Sequence, residues 1–387
     1  MPLTWRLGLF YGAIFIGTGA SSPYLPVWFA DHGLSGSRIG LILSLPMLAR
    51  AVTAPLLAIW ADSFRLRRTA LLILAVAVTL AYALMALPGG FAWWTVVWFA
   101  GSSMYATLSP LADVIVLARA RRDSFNFGWP RGIGSAAFIV ANVGMGMILT
   151  RGSSDLVLVW MLAAIALTAL GARFLLPPDP VHEDGPAMVL SDRMAGLAGL
   201  LRDPAFMTAV VSAGLIQSAH AFYYSFSTLA WKRQGIPEDL TGLLWAVGVA
   251  TEIVFMWFME PWRRRIGPRN LLMLGGAAAV ARWSALAFSP PLWMLFPLQL
   301  LHALSYAATF FASLLLVERL STSRNASAAQ AMNSALSGGV LSGLATMASG
   351  PLFDRFGARG YLLMTAMCVV GVLGALRLYG LRRLDPA

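Results

Sequence analysis

What most constrains this chain is the recurrence of apolar stretches long enough to cross a bilayer. A spanning helix needs about 20 mostly apolar residues. Twelve such stretches follow one another, near 5–29, 38–61, 69–88, 92–118, 130–150, 155–176, 204–230, 240–262, 270–288, 291–317, 327–350 and 360–380. Charged residues are 12% of the 387 and hydrophobic ones 58%, against roughly 25% charged in an ordinary soluble domain. No soluble fold of this length hides so much apolar side chain, so the expectation is an all-α membrane protein. The first stretch carries only Arg6 before it, exceeds a signal h-region in length and has no small-residue cleavage site after it, so it is read as a retained helix.

Several function classes fall away at once. The single cysteine, Cys368, allows neither an intramolecular disulfide framework nor a cysteine-built zinc site. The net charge of +11 does not point to nucleic acid, because the arginines sit in short tracts between apolar stretches, where they fix membrane orientation. With a cytoplasmic N-terminus, twenty Lys and Arg residues fall on the cytoplasmic side and six opposite, leaving Arg50 and Arg282 inside spans. The positive-inside rule then places both termini in the cytoplasm. No HExxH, GxSxG or phosphate-binding glycine loop is present, which argues against a membrane enzyme. No metal site and no cofactor are expected.

The most polar stretch, Pro177 to Asp203, divides the chain. It separates an N-terminal six-helix bundle (1–176) from a C-terminal one (204–387), with 177–203 as a cytoplasmic linker. Pro177, Pro178, Pro180 and Pro186 forbid a continuous helix there. Ser191 to Arg202 reads as a short surface helix with Met194, Leu197, Leu200 and Leu201 on its apolar side, the alternative being a disordered linker. Basic segments recur at equivalent places, Asp62 to Arg68 after span 2 and Arg263 to Arg269 after span 8. Six plus six helices with matched loops is the layout of parallel repeats.

Ionisable side chains in hydrocarbon cost about 2.5 to 3.5 kcal/mol each on insertion scales, so they mark partners or watery cavities. Inside the spans they are Arg50, Asp113, His220, Glu252, Arg282 and His302. Helical spacing sets them in polar stripes: Ser102, Tyr105, Ser109 and Asp113; Gln217, His220 and Tyr224; Gln299, His302, Tyr306 and Thr309. These stripes either line a shared cavity or make polar contacts between helices. Asp113 and Arg131 fall at similar depth, so an ion pair is expected, serving as a static clasp or breaking during transport. Glu252 and Arg282 both fall near mid-span, which suggests pairing and makes Glu252 the foremost candidate proton carrier. His220 and His302, each followed by tyrosine (Tyr223, Tyr224; Tyr306), are candidates for proton relay or binding. Gln217 and Gln299 stand three residues before them, placed to orient the imidazoles.

The layout resembles the major facilitator superfamily across nearly the whole chain. The loop after span 2 in that family reads Gly-x-x-x-Asp-Arg-x-Gly-Arg-Arg. Here Ala58 replaces the glycine, Asp62 is kept, Ser63 and Arg65 depart, and Arg67 and Arg68 restore the basic end. A cleaner string, Gly350 to Arg359 with Asp354, Arg355 and Gly357, falls on the opposite face and reads as a turn ending span 11. Segments such as SPLADVI, LIQSAHAFYYSFS, GVATEIVFMW and LQLLHALSYA are similar to the phenylpropionate permease group, a relative of the lactose permease and nucleoside proton symporters.

The resemblance implies uptake of a small organic solute with a proton, powered by the proton gradient, by a monomer in a bacterial inner membrane. It also implies that Asp113, Glu252, Arg131, Arg282 and His302 fill places where the sugar permease has its binding and coupling residues. Span 10 departs in having no acid or lysine beside its histidine. An aromatic carboxylate needs a cation and flat apolar walls. Arg50 or Arg282 can supply the first, and Phe222, Phe226, Phe310, Trp245 and Trp283 the second. Proton coupling is thus assigned to Glu252, His302, Asp113 and His220. Substrate binding is assigned to Arg50, Arg282, Gln217, His220, Tyr223, Gln299 and Tyr306, and a gating or structural role to Asp62, Arg67, Arg68 and Arg131. Alternatives are a sugar or nucleoside symporter, a drug/proton antiporter, or a non-transporting assembly or receptor protein on the same fold.

Overall fold

The computed structural model describes residues 1–178, 199–322 and 325–380, and among them there is no β-strand. The first six helices are α1 Leu3–Asp31, α2 Gly36–Asp62, α3 Arg67–Met85, α4 Gly90–Arg122, α5 Gly128–Leu149 and α6 Leu156–Phe174. The remainder are α7 Pro204–Ser218, α8 Ala221–Arg233, α9 Glu238–Phe258, α10 Glu260–Ala287, α11 Leu292–Leu300, α12 Thr309–Leu320, α13 Ala326–Asn333, α14 Ser342–Phe356 and α15 Tyr361–Arg377. Wide turns at Ala303–Ala308 and Ser334–Leu341 join α11 to α12 and α13 to α14. These pieces make up the twelve expected spans. Ten helical runs among the described residues are long and apolar enough to cross a membrane, the last two spans being counted as one run. The glycine- and serine-bearing α1 is not among those ten.

Local chemistry sets the helix ends. Asp203 caps α7, its carboxylate accepting from the backbone N–H of Ala205 at 2.8 Å and of Phe206 at 3.3 Å, with Pro204 at the first helical position where no N–H is missed. At the other end of span 11, Gly357 adopts φ 57° and stops α14 after Phe356, the turn expected from the Gly350 to Arg359 string. The basic segment Arg263 to Arg269 departs from expectation. It is helical rather than a loop, broken only at Gly267 (φ 76°), where Pro268 restarts the turn.

The chain forms two compact units. The first holds Met1–Asp184 and also Trp231–Ala246, the end of span 7 and the start of span 8; the second holds Gly185–Ala230 and Val247–Ala387. In the first, α1 packs on α5 and α6, and α3 on α4 and α6. In the second, α7 packs on spans 11 and 12, and α10 on spans 10 and 12. The same pairings therefore recur, so the two six-helix repeats are visible in packing as well as in sequence.

Small residues let these helices approach. A Cβ on Gly19 would stand 2.5 Å from the Phe138 carbonyl oxygen, so α1 and α5 meet backbone to backbone. Near the end of the same interface the Tyr24 hydroxyl lies 3.2 Å from the Asn142 carbonyl and 3.1 Å from that of Glu238, which opens α9. Lys232 stands 3.6 Å from both Asp31 and Glu238. Beside this junction, Asp155 accepts from Trp28 Nε1 at 2.9 Å and Ser153 Oγ at 3.0 Å, and lies 3.2 Å from His32 Nε2. Those hydrogen bonds, Trp28's foremost, hold its carboxyl below the usual value.

Of the linker, 179–198 lies outside the described residues, and with it most of the expected surface helix, including Met194 and Leu197. Leu200 is buried in a cluster with Phe206, Val210, Val317, Ala329 and Met332, while Leu201 is exposed. The start of the second repeat is thus anchored by one of the leucines singled out in the sequence.

Candidate functional site

The second unit concentrates its buried polar side chains where two of its spans leave regular α-geometry. Span 7 breaks at Ala219 and His220, between α7 and α8, and span 10 widens directly after His302. Such irregularities redirect side chains and often accompany function. Arg282, fully buried on α10, lies among the residues they present. Its guanidinium donates to His302 Nδ1 at 2.9 Å, to Gln299 Oε1 at 2.8 Å and to Ser305 Oγ at 3.3 Å. It lies 4.7 Å from the centre of the Tyr223 ring and 4.6 Å from that of Trp283, within cation–π range.

From Arg282 the contacts run in two directions. On one side, Ser305 accepts from Arg282 and reaches His220 Nε2 at 3.2 Å, while His220 Nδ1 stands 3.0 Å from the Gln217 carbonyl. A carbonyl only accepts, so Nδ1 of His220 carries its hydrogen and Nε2 accepts from Ser305. On the other side, His302 Nδ1 accepts from Arg282, which leaves the hydrogen of a neutral imidazole on Nε2. That nitrogen faces Glu252 Oε2 at 3.5 Å. The Tyr223 hydroxyl also donates to Gln299 Oε1 at 3.0 Å, and Gln217 donates to the Tyr306 carbonyl at 3.0 Å. The result is one connected series, Gln217, His220, Ser305, Arg282, His302, Glu252.

Seven residues singled out in the sequence thus meet here: Gln217, His220, Tyr223, Glu252, Arg282, Gln299 and His302. Tyr306 stacks on His302 with ring centres 5.3 Å apart. One expectation is corrected. Glu252 does not pair with Arg282; His302 stands between them, because the histidine ring occupies the guanidinium's open edge. Gln299 and Gln217 do not fix the imidazoles through their amides either; Gln299 serves Arg282 and Tyr223, and only Gln217's backbone carbonyl holds His220. Two buried donors of the cluster, Arg282 Nε and Gln299 Nε2, have no hydrogen-bond partner among the described residues.

Ser305 was missed in the sequence. A serine in ALSYAA carries no signal until the wide turn brings it beside Arg282. The aromatic walls are also corrected in part. Phe222 and Phe226 are fully buried against Phe353 and Tyr361, with centres 4.5 Å apart for Phe222 and Tyr361 and 4.8 Å for Phe226 and Phe353. They form core, since their faces are already covered. Trp283 is buried beside Arg282, Phe310 is exposed, and Trp245 belongs to the first unit.

In the first unit, Asp113 accepts from the Tyr11 hydroxyl. Arg131 does not reach Asp113 within ion-pair distance; it donates to Ser109 Oγ at 3.2 Å and lies over the Phe15 ring at 4.4 Å and the Tyr11 ring at 5.3 Å. Tyr11 separates acid from base. The expected ion pair is replaced by a tyrosine-bridged arrangement, which sequence spacing on α4 and α5 could not reveal because Tyr11 lies on α1. Arg50 is exposed on α2 and borders a cavity between α2 and α4 of about 180 Å³. Asp62 ends α2 and is exposed, and Arg67 and Arg68 open α3. Among the described residues, no cluster of three His, Cys, Asp or Glu side chains could hold a metal ion.

The model of the MFS_1 like family matches residues 4–364. The chain is 26% identical over 309 residues to the "Probable 3-phenylpropionic acid transporter" of Escherichia coli (strain K12), covering 80% of each. It is 29% identical over 368 residues to the maltose permease of Geobacillus stearothermophilus, covering 94% of this chain and 92% of the permease. The crystal structure of the nucleoside transporter NupG superposes with a TM-score of 0.81 at 17% identity, over 98% of this chain and 99% of that one.

Proposed function

The chain belongs to the MFS_1 like family of membrane transporters, and from that premise we propose that it is a proton-coupled symporter taking up a small organic acid by alternating access. That it is a multi-pass membrane protein handling a small-molecule substrate follows from the family. The proton, the aromatic carboxylate, a monomeric state, a bacterial inner membrane and cytoplasmic termini are our reading. The observation that carries it is the series of contacts from Glu252 through His302 to Arg282.

The chemistry of that series supports coupling. Within this buried cluster Glu252 is the acid that faces an imidazole, its side chain 18% exposed against 5% for His302. A proton arriving at Glu252 can pass no further while Arg282 donates to His302 Nδ1, since a doubly protonated imidazole has two donors and no acceptor. Protonation of His302 would therefore expel the guanidinium from that nitrogen. Once Arg282 withdraws, Nδ1 can carry the ring hydrogen and Nε2 can accept from protonated Glu252, so arginine release and proton transfer are linked, and the freed guanidinium, with Arg282 Nε and Gln299 Nε2, offers donors to a substrate. His220, Gln217, Tyr223 and Tyr306 would shape that pocket. Asp113 with Tyr11 would supply a second titratable carboxylate, while Asp62, Arg67, Arg68 and Arg131 would serve packing or gating.

The relative named for 3-phenylpropionic acid supports an aromatic acid as substrate. Sugar uptake is the second reading, supported by the maltose permease at 29% identity over 94% of the chain. The deciding measurement is accumulation of labelled 3-phenylpropionate in proteoliposomes under an inward proton gradient, then with an uncoupler. Gradient-dependent accumulation is expected. Failure with a folded preparation that accumulates maltose instead would replace the substrate and keep the coupling.

A further inference from the structure

Arg50 stands 14 residues into α2 and 12 from its end, so it lies mid-span. A guanidinium at that depth carries the insertion cost described above. Among the described residues it has no hydrogen bond or ion pair, and it is exposed at the mouth of the α2–α4 cavity. Arg282, by contrast, is wholly buried and already donates to three acceptors. The cavity behind Arg50 measures about 180 Å³ and is lined chiefly by carbon: Pro46, Ala54, Ala106, Pro110 and Leu111 among others. Apolar cavities of about 150 Å³ take up benzene, so a single ring fits. Ser103, one of the lining residues, is 8% exposed, and among the described residues its buried hydroxyl has no hydrogen-bond partner, a condition rare for buried polar groups.

We propose that this cavity is a binding site for an apolar carboxylate, with the ring or chain between α2 and α4 and the carboxylate on Arg50. The proposal deepens the symport reading and rests on it for the identity of the ligand as substrate. It makes Arg50 the residue that selects acids over neutral compounds of the same shape. A carboxylate on a guanidinium gains paired, charge-assisted hydrogen bonds that an alcohol or a sugar hydroxyl does not.

The test is equilibrium binding of labelled 3-phenylpropionate and of 3-phenylpropan-1-ol, its neutral counterpart, to the purified full chain. Arg50→Gln should weaken acid binding by at least about tenfold while leaving alcohol binding within about twofold, and Arg50→Lys should fall between because it keeps charge but not the fork. Leu111→Trp, which fills the cavity, should weaken both ligands; unfolding temperatures close to wild type verify that the variants fold. Equal acid affinity in Arg50→Gln and wild type, or no saturable acid binding by folded wild type, overturns the site. So does native mass spectrometry finding an anionic lipid that leaves with Arg50→Gln while acid binding is untouched. The transport reading is scored separately. Acid that binds through Arg50 without accumulating under a proton gradient sinks symport and keeps the site; accumulation unchanged in Arg50→Gln keeps symport and sinks the site.

Discussion

Glu252 and His302 face each other at 3.5 Å, carboxylate oxygen to imidazole Nε2, with the other nitrogen of the same ring taken by Arg282 at 2.9 Å. An imidazole held this way has one open choice of proton position, and it couples an acid to a base that never touch each other. The arrangement joins spans 8, 9 and 10 through a single ring.

Removing the acid tests that coupling most directly. Glu252→Gln keeps the shape and loses the titratable proton, so uphill accumulation should fall by more than about tenfold while exchange down a substrate gradient persists. Proteoliposomes loaded with cold substrate separate the two. Normal accumulation by the variant would remove Glu252 from the proton path.

Ser305 links the two histidines through Arg282. Ser305→Ala deletes one buried hydroxyl that accepts from Arg282 and donates to His220, which should cost about 1 to 3 kcal/mol of stability. A lowered unfolding temperature is the expected readout. If Ser305→Ala unfolds with wild type, the bridge is not made in the membrane-reconstituted protein.

The first unit makes a parallel case. Tyr11→Phe removes the one hydrogen-bond donor to Asp113 among the described residues and leaves a half-buried carboxylate unserved, at a cost of about 1 to 3 kcal/mol. Arg131→Lys keeps the charge but loses the flat contact with Phe15. A thermal shift larger for Tyr11→Phe than for Arg131→Lys is expected; the reverse order would return Arg131 to the direct partnership that the sequence suggested.

Much of this architecture was legible in the chain, because hydrocarbon demands long helices and charge bias marks their flanks. The twelve spans, the six-plus-six repeat and the family resemblance all followed from that, and the match to residues 4–364 agrees. Periodicity also brought His220, Gln299, His302 and Tyr306 onto common stripes. It failed where helices stop being regular. Spacing of 3.6 residues cannot foresee the wide turn at 303–308 that carries Ser305 to Arg282, nor the break at His220. Depth along a span paired Glu252 with Arg282 and Asp113 with Arg131, but depth says nothing about which ring stands between two charges. His302 and Tyr11 fill those places.

Acid pH should reveal a different carboxylate. The hydrogen bonds from Trp28 and Ser153 lower the Asp155 value in the folded chain. Its contribution is therefore complete above the unfolded value of about 3.9 and is lost as pH falls through the lower folded value. Between neutrality and pH 3, wild type should lose unfolding temperature more steeply than Asp155→Asn, which has no proton to take up. Superimposable pH profiles would show that Asp155 gains nothing from its neighbours.

A final consequence comes from the Tyr24 hydroxyl, which lies between the carbonyls of Asn142 and Glu238. A phenol owns one hydrogen and cannot serve two acceptors fully at once. If the 231–246 hairpin withdrew, Tyr24 would keep Asn142 and strand no donor, and the carbonyl of Glu238 would be left to water. Breaking the contact to Glu238 would therefore forfeit only a shared bond rather than a whole one.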